Sequence, residues 1–262
     1  MPVRYDVRDR IATITLDRPE AHNALDPPML FGLAEAWDNA EGDDDVLVVV
    51  ITGAGDKAFC AGADLAATIP ATTEQARGGD GSTRFPNMDR TLLRNRYFPK
   101  PIVAAVNGHC IAGGLEMLLS TDLRYAATNA TFGLQEVRWG LFPLAGSTVR
   151  LPRQVPYCRA MELLLVGDRV DADTALAMGL VNEVLEPGRL LDRAYEVAAK
   201  LTRNGPVAVR RIKEAAVHGL RMGFDEAMVE ALRLGTEVFA SEDAQEGPRA
   251  FVEKREPRFT GR

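Results

Sequence analysis

Ala112-Gly113-Gly114-Leu115-Glu116 and Phe132-Gly133-Leu134-Gln135-Glu136 each place a glutamate shortly after a glycine-containing turn. A helix that begins near Gly113 would carry Glu116 on the same face, about one turn along. The residues around Glu116 are apolar, and a carboxylate in such surroundings is costly unless it is paired or meets a bound water. Two carboxylates at one site can share acid and base work on a single water molecule. The stretch therefore indicates a reactive site more than a solvated helix face.

A second segment of small residues, Phe59-Cys60-Ala61-Gly62-Ala63-Asp64-Leu65, lies upstream. Small side chains allow the backbone to approach a ligand closely. Backbone N–H groups in such a turn, and those at a helix N-terminus, can hold a developing oxyanion. Either glycine motif taken alone is more often only a tight turn. The two in this order, together with both glutamates, favour a functional site.

Together these segments resemble the active site of the enoyl-CoA hydratase/isomerase (crotonase) superfamily, and the chain is most similar to a bacterial enoyl-CoA hydratase. The resemblance implies an α/β fold, a crotonase-like spiral of β-β-α repeats with a C-terminal helical region. It places the oxyanion-hole N–H groups on Ala63 and Gly113, with Glu116 as the base and Glu136 as the acid. A coupled pair of carboxyls need not divide these roles so cleanly. The implied reaction is the reversible addition of water across the 2,3 double bond of a 2-enoyl-CoA thioester.

The resemblance also implies a surface that binds the CoA ester. Residues 17–25 resemble the family's CoA loop, although Glu20 stands where many members carry lysine. Residues 251–255 resemble a segment that places an aromatic ring and a lysine near the CoA nucleotide, often across a subunit contact. The residues implied in substrate or CoA binding are Arg18, Ala21, Ala61, Asp64, Leu65, Trp139, Phe251 and Lys254.

Bulky side chains follow the second glutamate. Trp139 and Phe142 come three and six residues after it, and Leu144 occupies a position that is often glycine in the family. The two aromatic residues either shape the selectivity for the acyl chain or fill the core. Filling the core is the expectation for any single aromatic side chain.

Buried strands and helices alternate along the first half of the chain. Residues 46–51 and 102–106 are continuous apolar runs, typical of strands covered on both faces of a sheet, and 123–127 resembles them. Residues 10–16 alternate and are β-branched, which predicts another strand. Asp26 followed by two prolines predicts a helix start. Further helices are predicted near residues 146–155, 158–166, 172–178, 189–203, 207–219 and 224–240.

This pattern divides the chain in two. We expect a crotonase-like core domain over residues 1–200 and a C-terminal helical trimerisation region over residues 201–262. Residues 70–90 are rich in Gly, Thr, Asp and Arg, which predicts a mobile surface loop with at most one poor helix. Such a loop either covers the acyl chain as a lid or has no role.

Composition limits the partners and the compartment. A net charge of −6 gives no reason to expect nucleic acid or a membrane surface as a partner. The sequence contains no run of about 18 apolar residues, so no membrane span is expected. Three cysteines without metal-ligand spacing, and a beginning without a signal-peptide pattern, favour the cytoplasm. The three histidines are not paired at helical spacing, so no metal is expected. No cofactor is expected either, because CoA is part of the substrate.

The expected partners are an acyl-CoA thioester and further copies of the chain, in a homotrimer or a hexamer built as a dimer of trimers. Two alternatives stay open beside the hydratase. One is an enoyl-CoA isomerase or another acyl-CoA enolate-stabilising enzyme of the same superfamily. The other is a non-catalytic scaffold that binds CoA esters, against which the presence of both acids argues. The sequence leaves the acyl-chain length, branching and pathway undetermined.

Overall fold

The computed structural model of the protein describes residues 2–78 and 87–262. Ten β-strands in these residues form two sheets. In chain order the strands are β1 (Val3–Arg8), β2 (Ile11–Leu16), β3 (Val48–Gly53), β4 (Ala58–Cys60), β5 (Ile102–Val106), β6 (His109–Ile111), β7 (Leu123–Ala127), β8 (Thr131–Gly133), β9 (Val170–Asp171) and β10 (Glu183–Leu185). The larger sheet has the order β1-β2-β3-β5-β7-β10, and the smaller sheet has the order β4-β6-β8-β9.

Eleven α-helices accompany these strands in the described ranges. They are α1 (Pro27–Gly42), α2 (Leu65–Ala76), α3 (Met88–Thr91), α4 (Gly113–Leu118), α5 (Ser147–Gln154), α6 (Tyr157–Leu165), α7 (Ala172–Ala177), α8 (Pro187–Thr202), α9 (Pro206–Gly219), α10 (Phe224–Phe239) and α11 (Glu242–Val252). Short 3-10 helices cover Pro19–Ala21 and Glu136–Trp139.

The strands and helices repeat as a spiral. In each turn one strand joins the larger sheet, the next joins the smaller sheet, and a helix follows. The turns are β3-β4-α2, β5-β6-α4 and β7-β8-α5, the last with the second 3-10 helix before its α-helix. This arrangement confirms the predicted α/β spiral of β-β-α repeats with helices at the C-terminal end.

The larger sheet is covered on both faces, as its apolar strands predict. Val49 and Ile51 of β3 pack in one cluster with Trp37 of α1. Val48 and Val50 pack in a second cluster with residues of α8. Because successive side chains of a strand point to opposite faces, a strand buried in two clusters must be apolar throughout. The continuous run at residues 46–51 reflects this environment.

The predicted helix start at Asp26 is confirmed, and glycines end two further helices. The Asp26 side chain caps α1 by accepting a hydrogen bond from Met29 N at 2.9 Å. Gly167 and Gly179, which follow α6 and α7, have positive φ angles of 72° and 76°, the conformation that commonly ends a helix. The sequence reading missed β1, an edge strand whose side chains are mostly exposed, and the three-residue strands of the smaller sheet.

The prediction for residues 70–90 is only partly correct. Helix α2 continues to Ala76, and α3 begins at Met88, so much of this segment is helical and not loop. Residues 79–86 lie outside the described residues. The lid proposed for this segment stays a prediction.

The last three helices, α9 to α11, lie outside the two-sheet core. Helix α9 packs against α10 and is tied to the core by Lys213, whose Nζ donates to Asp122 Oδ2 at 2.6 Å and to Lys100 O at 2.8 Å. The proposed boundary at residue 200 falls in the last turn of α8, and the division into two regions stays a prediction. Within residues 2–78 and 87–262, no helix has the length and apolar character needed to cross a membrane.

Candidate active site

Three strand ends meet at one edge of the smaller sheet. Strand β4 pairs in parallel with β6, and β6 pairs in parallel with β8. Each of these strands is followed within three residues by one predicted site residue: Ala63 after β4, Gly113 after β6 and Glu136 after β8. Because the carboxyl ends of parallel strands lie at the same edge of a sheet, the spiral brings these residues together. Ligands of α/β proteins bind at such an edge.

The predicted oxyanion hole is formed by two neighbouring backbone segments. Gly62 has a φ of 91°, and a Cβ on it would lie only 2.7 Å from Ala112 Cβ and 3.2 Å from Gly113 N. A Cβ on Gly113 would lie 3.8 Å from Ala63 N. Within the part of the chain that the structure describes, neither the Ala63 nor the Gly113 N–H donates a hydrogen bond. The glycine at position 62 therefore lets two free N–H groups lie close together, and their role as an oxyanion hole stays a prediction.

Backbone hydrogen bonds hold this segment in place. Ala61 N donates to His22 O at 3.0 Å, and Leu25 N donates to Gly62 O at 2.8 Å. Ala112, which precedes α4, has a φ of 50° and donates from its N–H to Gly133 O at 2.8 Å. A positive φ is a strained conformation for alanine, and such strain is found where the surrounding structure fixes a functional site.

Glu116 lies in α4 and is only 4% exposed. Its Oε1 accepts hydrogen bonds from Ser147 N at 3.1 Å and from Ser147 Oγ at 3.0 Å. Burial raises the pKa of the Glu116 carboxyl, and the donors at Ser147, Ala145 and Gly146 oppose that rise. Hydrogen bonds to the charged form of a carboxyl favour ionisation, so burial and donors act against each other at this residue.

Glu136 is the first residue of the second 3-10 helix, and its environment differs from that of Glu116. Its Oε2 is buried and has no hydrogen-bond partner among the described residues. Burial raises the pKa of Glu136 to about 7, while its own backbone N–H lowers the pKa and the charge of Glu116 raises it. The two carboxyls therefore interact electrostatically. At neutral pH Glu136 can hold a proton and release it, which suits a general acid.

Arg18 is bound by carboxylates of the chain itself. Its Nη1 lies 3.0 Å from Asp64 Oδ2 and 3.3 Å from Asp26 Oδ2. The hydrogen bond from Arg18 lowers the pKa of Asp64. The structure thus brings Arg18 and Asp64 together and joins the predicted CoA loop to the start of α2. Much of the Arg18 charge is compensated there, and its contact with CoA phosphates stays a prediction.

The other residues assigned to CoA or substrate binding differ in exposure. Ala21 and Ala61 are half-buried, and Leu65 is exposed at the first turn of α2. Phe251 and Lys254 are exposed at the end of α11, which packs against α10. No hydrogen bond or ion pair within the described ranges links either of them to the glutamates. Their contact with a CoA nucleotide stays a prediction.

The expectation that Trp139 and Phe142 fill the core is wrong. Trp139 is 69% exposed, Phe142 is 64% exposed, and Leu144 beside them is exposed as well. They follow Glu136 on a short 3-10 helix and an irregular segment, which lie outside the two apolar clusters. Exposed aromatic residues beside a buried carboxyl are available to an acyl chain or to another subunit.

Ser147 is a site residue that the sequence reading missed. It is fully buried at the first position of α5. The available signal was Gly146-Ser147-Thr148 at the beginning of a predicted helix, which indicates a helix start but not the residue that Ser147 contacts. Nothing local indicates a contact with a glutamate 31 residues away.

The fold and this site define a class: an α/β protein of spiral β-β-α repeats, with two free backbone N–H groups close to one buried and one half-buried glutamate. A sequence model of enoyl-CoA hydratase/isomerase matches residues 6–262, and the chain belongs to that family.

Similarity to individual proteins of this family extends over nearly the whole chain. The chain is 42% identical to an enoyl-CoA hydratase of Mycobacterium tuberculosis, over 97% of this chain and 95% of that protein. It is 40% identical to the (E)-benzylidenesuccinyl-CoA hydratase of Thauera aromatica, over the full length of both. The crystal structure of an enoyl-CoA hydratase from Bacillus anthracis superposes with a TM-score of 0.92 at 35% identity, covering 100% of both chains.

Proposed function

We propose that this protein is an enoyl-CoA hydratase, a hydro-lyase that reversibly adds water across the 2,3 double bond of a 2-enoyl-CoA thioester. One observation carries the proposal: the buried Glu116 interacts with the half-buried Glu136, and it lies in the helix whose first residue, Gly113, has its free N–H next to that of Ala63. The full-length similarity to hydratases supports the same reaction.

The two N–H groups bind the thioester carbonyl oxygen. As hydroxyl adds to C3, negative charge moves through C2 onto that oxygen, and the N–H groups of Ala63 and Gly113 stabilise the enolate. A fixed donor of this kind typically contributes about 10²- to 10³-fold to the rate. Gly113 is the first residue of α4, so the positive end of the helix dipole acts on the same oxygen.

The two glutamates move the protons of one water. Glu116 takes a proton from the water as its oxygen bonds to C3. Glu136 gives a proton to C2, and the enolate returns to a thioester carbonyl. One hydroxyl and one hydrogen are added, so the product is a 3-hydroxyacyl-CoA. The raised pKa of Glu136 supports its role as the acid, because a carboxyl with a pKa of about 7 remains partly protonated at neutral pH.

The CoA part of the substrate is assigned to the surface around residues 17–25 and 61–65. Arg18, Ala21, Ala61, Asp64 and Leu65 contribute there, and Trp139 lies beside the acyl chain. The chemistry needs no metal and no cofactor apart from the CoA of the substrate. In the described ranges no group of three or more His, Cys, Asp or Glu side chains is arranged to hold a metal ion.

The protein forms a homotrimer or a hexamer of two trimers. Support comes from the apolar side chains that α10 leaves exposed, among them Phe224, Val229 and Leu232, with relative exposures of 80%, 71% and 73%. Exposed apolar patches of this kind mark protein–protein interfaces. A neighbouring copy would cover them and could bring Phe251 and Lys254 to a CoA nucleotide.

The cytoplasm is the proposed compartment. Cys60, Cys110 and Cys158 are all free thiols, which fits a reducing environment. Recovery of the hydratase activity in the cytosolic fraction of the source cells, and its absence from membrane and secreted fractions, is the expected result.

The function is tested with a panel of CoA esters. The purified protein is incubated with crotonyl-CoA, a longer 2-enoyl-CoA and cinnamoyl-CoA. Loss of the conjugated double bond is followed over time, and the mass of the product is determined by mass spectrometry. A hydratase converts at least one of them to a product heavier by one water. Conversion of a 3-enoyl-CoA with no hydration of any 2-enoyl-CoA would identify an isomerase instead. Tight binding of the esters without turnover would identify a scaffold.

A further inference from the structure

Ser147 donates twice to one oxygen of Glu116. Both its backbone N–H and its hydroxyl reach Oε1, at 3.1 and 3.0 Å, and the serine side chain is fully buried. No hydrogen bond within the described residues reaches Oε2 of Glu116. One carboxylate oxygen is therefore occupied by α5, while the other is left for a reactant.

The two glutamates are thus supplied with unequal numbers of donors. Glu116 receives the two from Ser147, at the N-terminal end of a helix of eight residues, whereas Oε2 of Glu136 has no partner in the described part of the chain. Donors favour the charged form of a carboxyl, and an unpartnered buried oxygen favours the neutral form. This asymmetry gives a physical reason for one carboxyl to act as the base and the other as the acid.

Two other charged groups act on Glu116. Glu136 approaches it from the 3-10 helix, and Arg150 from the next turn of α5. Arg150 is itself held by a hydrogen bond from its Nη2 to Leu93 O at 2.6 Å. Neither residue donates a hydrogen bond to Oε1. The donors to the Glu116 carboxyl are the backbone N–H groups at residues 145–147 and one side chain, the hydroxyl of Ser147.

We infer that Ser147 is a positioning residue whose hydroxyl fixes the Glu116 carboxylate and thereby assigns it the role of base. The inference rests on the proposed hydratase function. The hydroxyl itself touches neither water nor substrate in this assignment. Its removal should change how well Glu116 accepts a proton while leaving CoA-ester binding largely intact.

The test compares Ser147→Ala with Ser147→Thr, which retains the hydroxyl, and with Thr148→Ala, a substitution at the adjacent, half-buried position. With crotonyl-CoA, Ser147→Ala should lower kcat by about ten- to a hundredfold, the range for one hydrogen bond to a charged group, with KM changed less than about threefold. The acid limb of its pH–kcat profile should move to higher pH, because losing the donor raises the pKa of the base. Ser147→Thr should recover most of kcat, and Thr148→Ala should match the wild type. A folded Ser147→Ala enzyme with wild-type kcat and an unmoved acid limb would overturn the inference.

A second measurement does not depend on turnover. The carboxyl carbons of ¹³C-labelled glutamate are titrated by NMR in the wild type and in Ser147→Ala, with the Glu116 signal assigned from Glu116→Gln. The Glu116 pKa should be higher in Ser147→Ala. An unchanged pKa contradicts the role of Ser147 even if no enoyl-CoA is hydrated, whereas a raised pKa without any hydration by the wild type would retain the contact and reject the hydratase.

Discussion

Gly114 packs directly against the backbone of Cys60: a Cβ at position 114 would lie 2.4 Å from Cys60 O and 2.8 Å from Cys60 Cβ. This contact holds the first turn of α4 against the end of β4, next to the two segments that contain the free N–H groups of Ala63 and Gly113. Since the nearest atom is a backbone oxygen, it cannot move aside as the tip of a side chain could.

Gly114→Ala should therefore destabilise the protein and lower its activity. Overpacking of this kind typically costs about 1–3 kcal/mol, and any relief must separate α4 from β4. The free energy of unfolding and kcat are measured together. Gly188→Ala is the matched control, because a Cβ at Gly188 in α8 meets nothing within 4 Å. Equal stability and activity of the two variants would show that the contact is not restrictive.

Glu116→Gln and Glu136→Gln should each lower kcat for hydration by at least about a hundredfold, because each removes one proton-transfer group. The purified variants are assayed with crotonyl-CoA, and circular dichroism checks their folding. Glu162→Gln, which changes an exposed glutamate of α6, is the control and should retain full activity. Near-normal turnover by either site variant would reject the two-glutamate mechanism.

The stability of the protein should depend on the ionisation of Glu136. Burial raises its pKa from 4.5 to about 7 in the folded state, so the folded protein binds this proton more tightly than the unfolded chain does. Stability from this group is fully present below pH 4.5 and is lost as the pH rises to about 7. Glu136→Gln removes the dependence and should be more stable than the wild type at pH 8.

The gain from Glu136→Gln should be small at pH 5 and reach at most a few kcal/mol at pH 8, since one pKa unit corresponds to about 1.4 kcal/mol. Denaturant unfolding of both proteins at the two pH values provides the measurement. A difference in free energy that does not change with pH would mean that the Glu136 pKa is close to its ordinary value.

Light scattering should give three or six times the chain mass of 28.5 kDa. The double substitution Val229→Glu and Leu232→Glu should reduce the assembly, because it places charges on the exposed apolar face of α10. Glu230→Gln on the same helix is the control, since it removes a charge from a surface ion pair and adds none. A stable, active wild-type monomer would refute the proposed assembly.

Most of the larger sheet and its helices could be predicted because their buried positions give long apolar runs or helical periods in the sequence. Strand β5 coincides with an apolar run that is buried at all five positions, and α10 follows a clear helical period. The smaller sheet could not be predicted in this way. Strands of three residues, such as Ala58–Cys60, are too short to show any period, and they exist because the spiral supplies their neighbours.

The site residues likewise fall into those with a local sequence signal and those without one. Gly113 and Glu116 are three residues apart, so their helix could be inferred from local spacing. The close approach of the backbone at Gly62 could be inferred from its small neighbours. The contact between Ser147 and Glu116 depends on how α5 docks onto α4, which no local pattern encodes. The exposure of Trp139 likewise depends on tertiary packing, because an aromatic residue in an irregular segment can point either way.

The repeat of the spiral has a consequence for how this molecule can be re-engineered. Ala63, Gly113 and Glu136 each follow a different strand of the smaller sheet, and Glu116 lies in the helix that begins at Gly113, while the ladder of strands behind them is continuous. Scaffold and reactivity are therefore separable by position. Substitutions confined to the connection after β8 would change the proposed acid, Glu136, and leave the backbone segments of Ala63 and Gly113 on the two earlier turns in place.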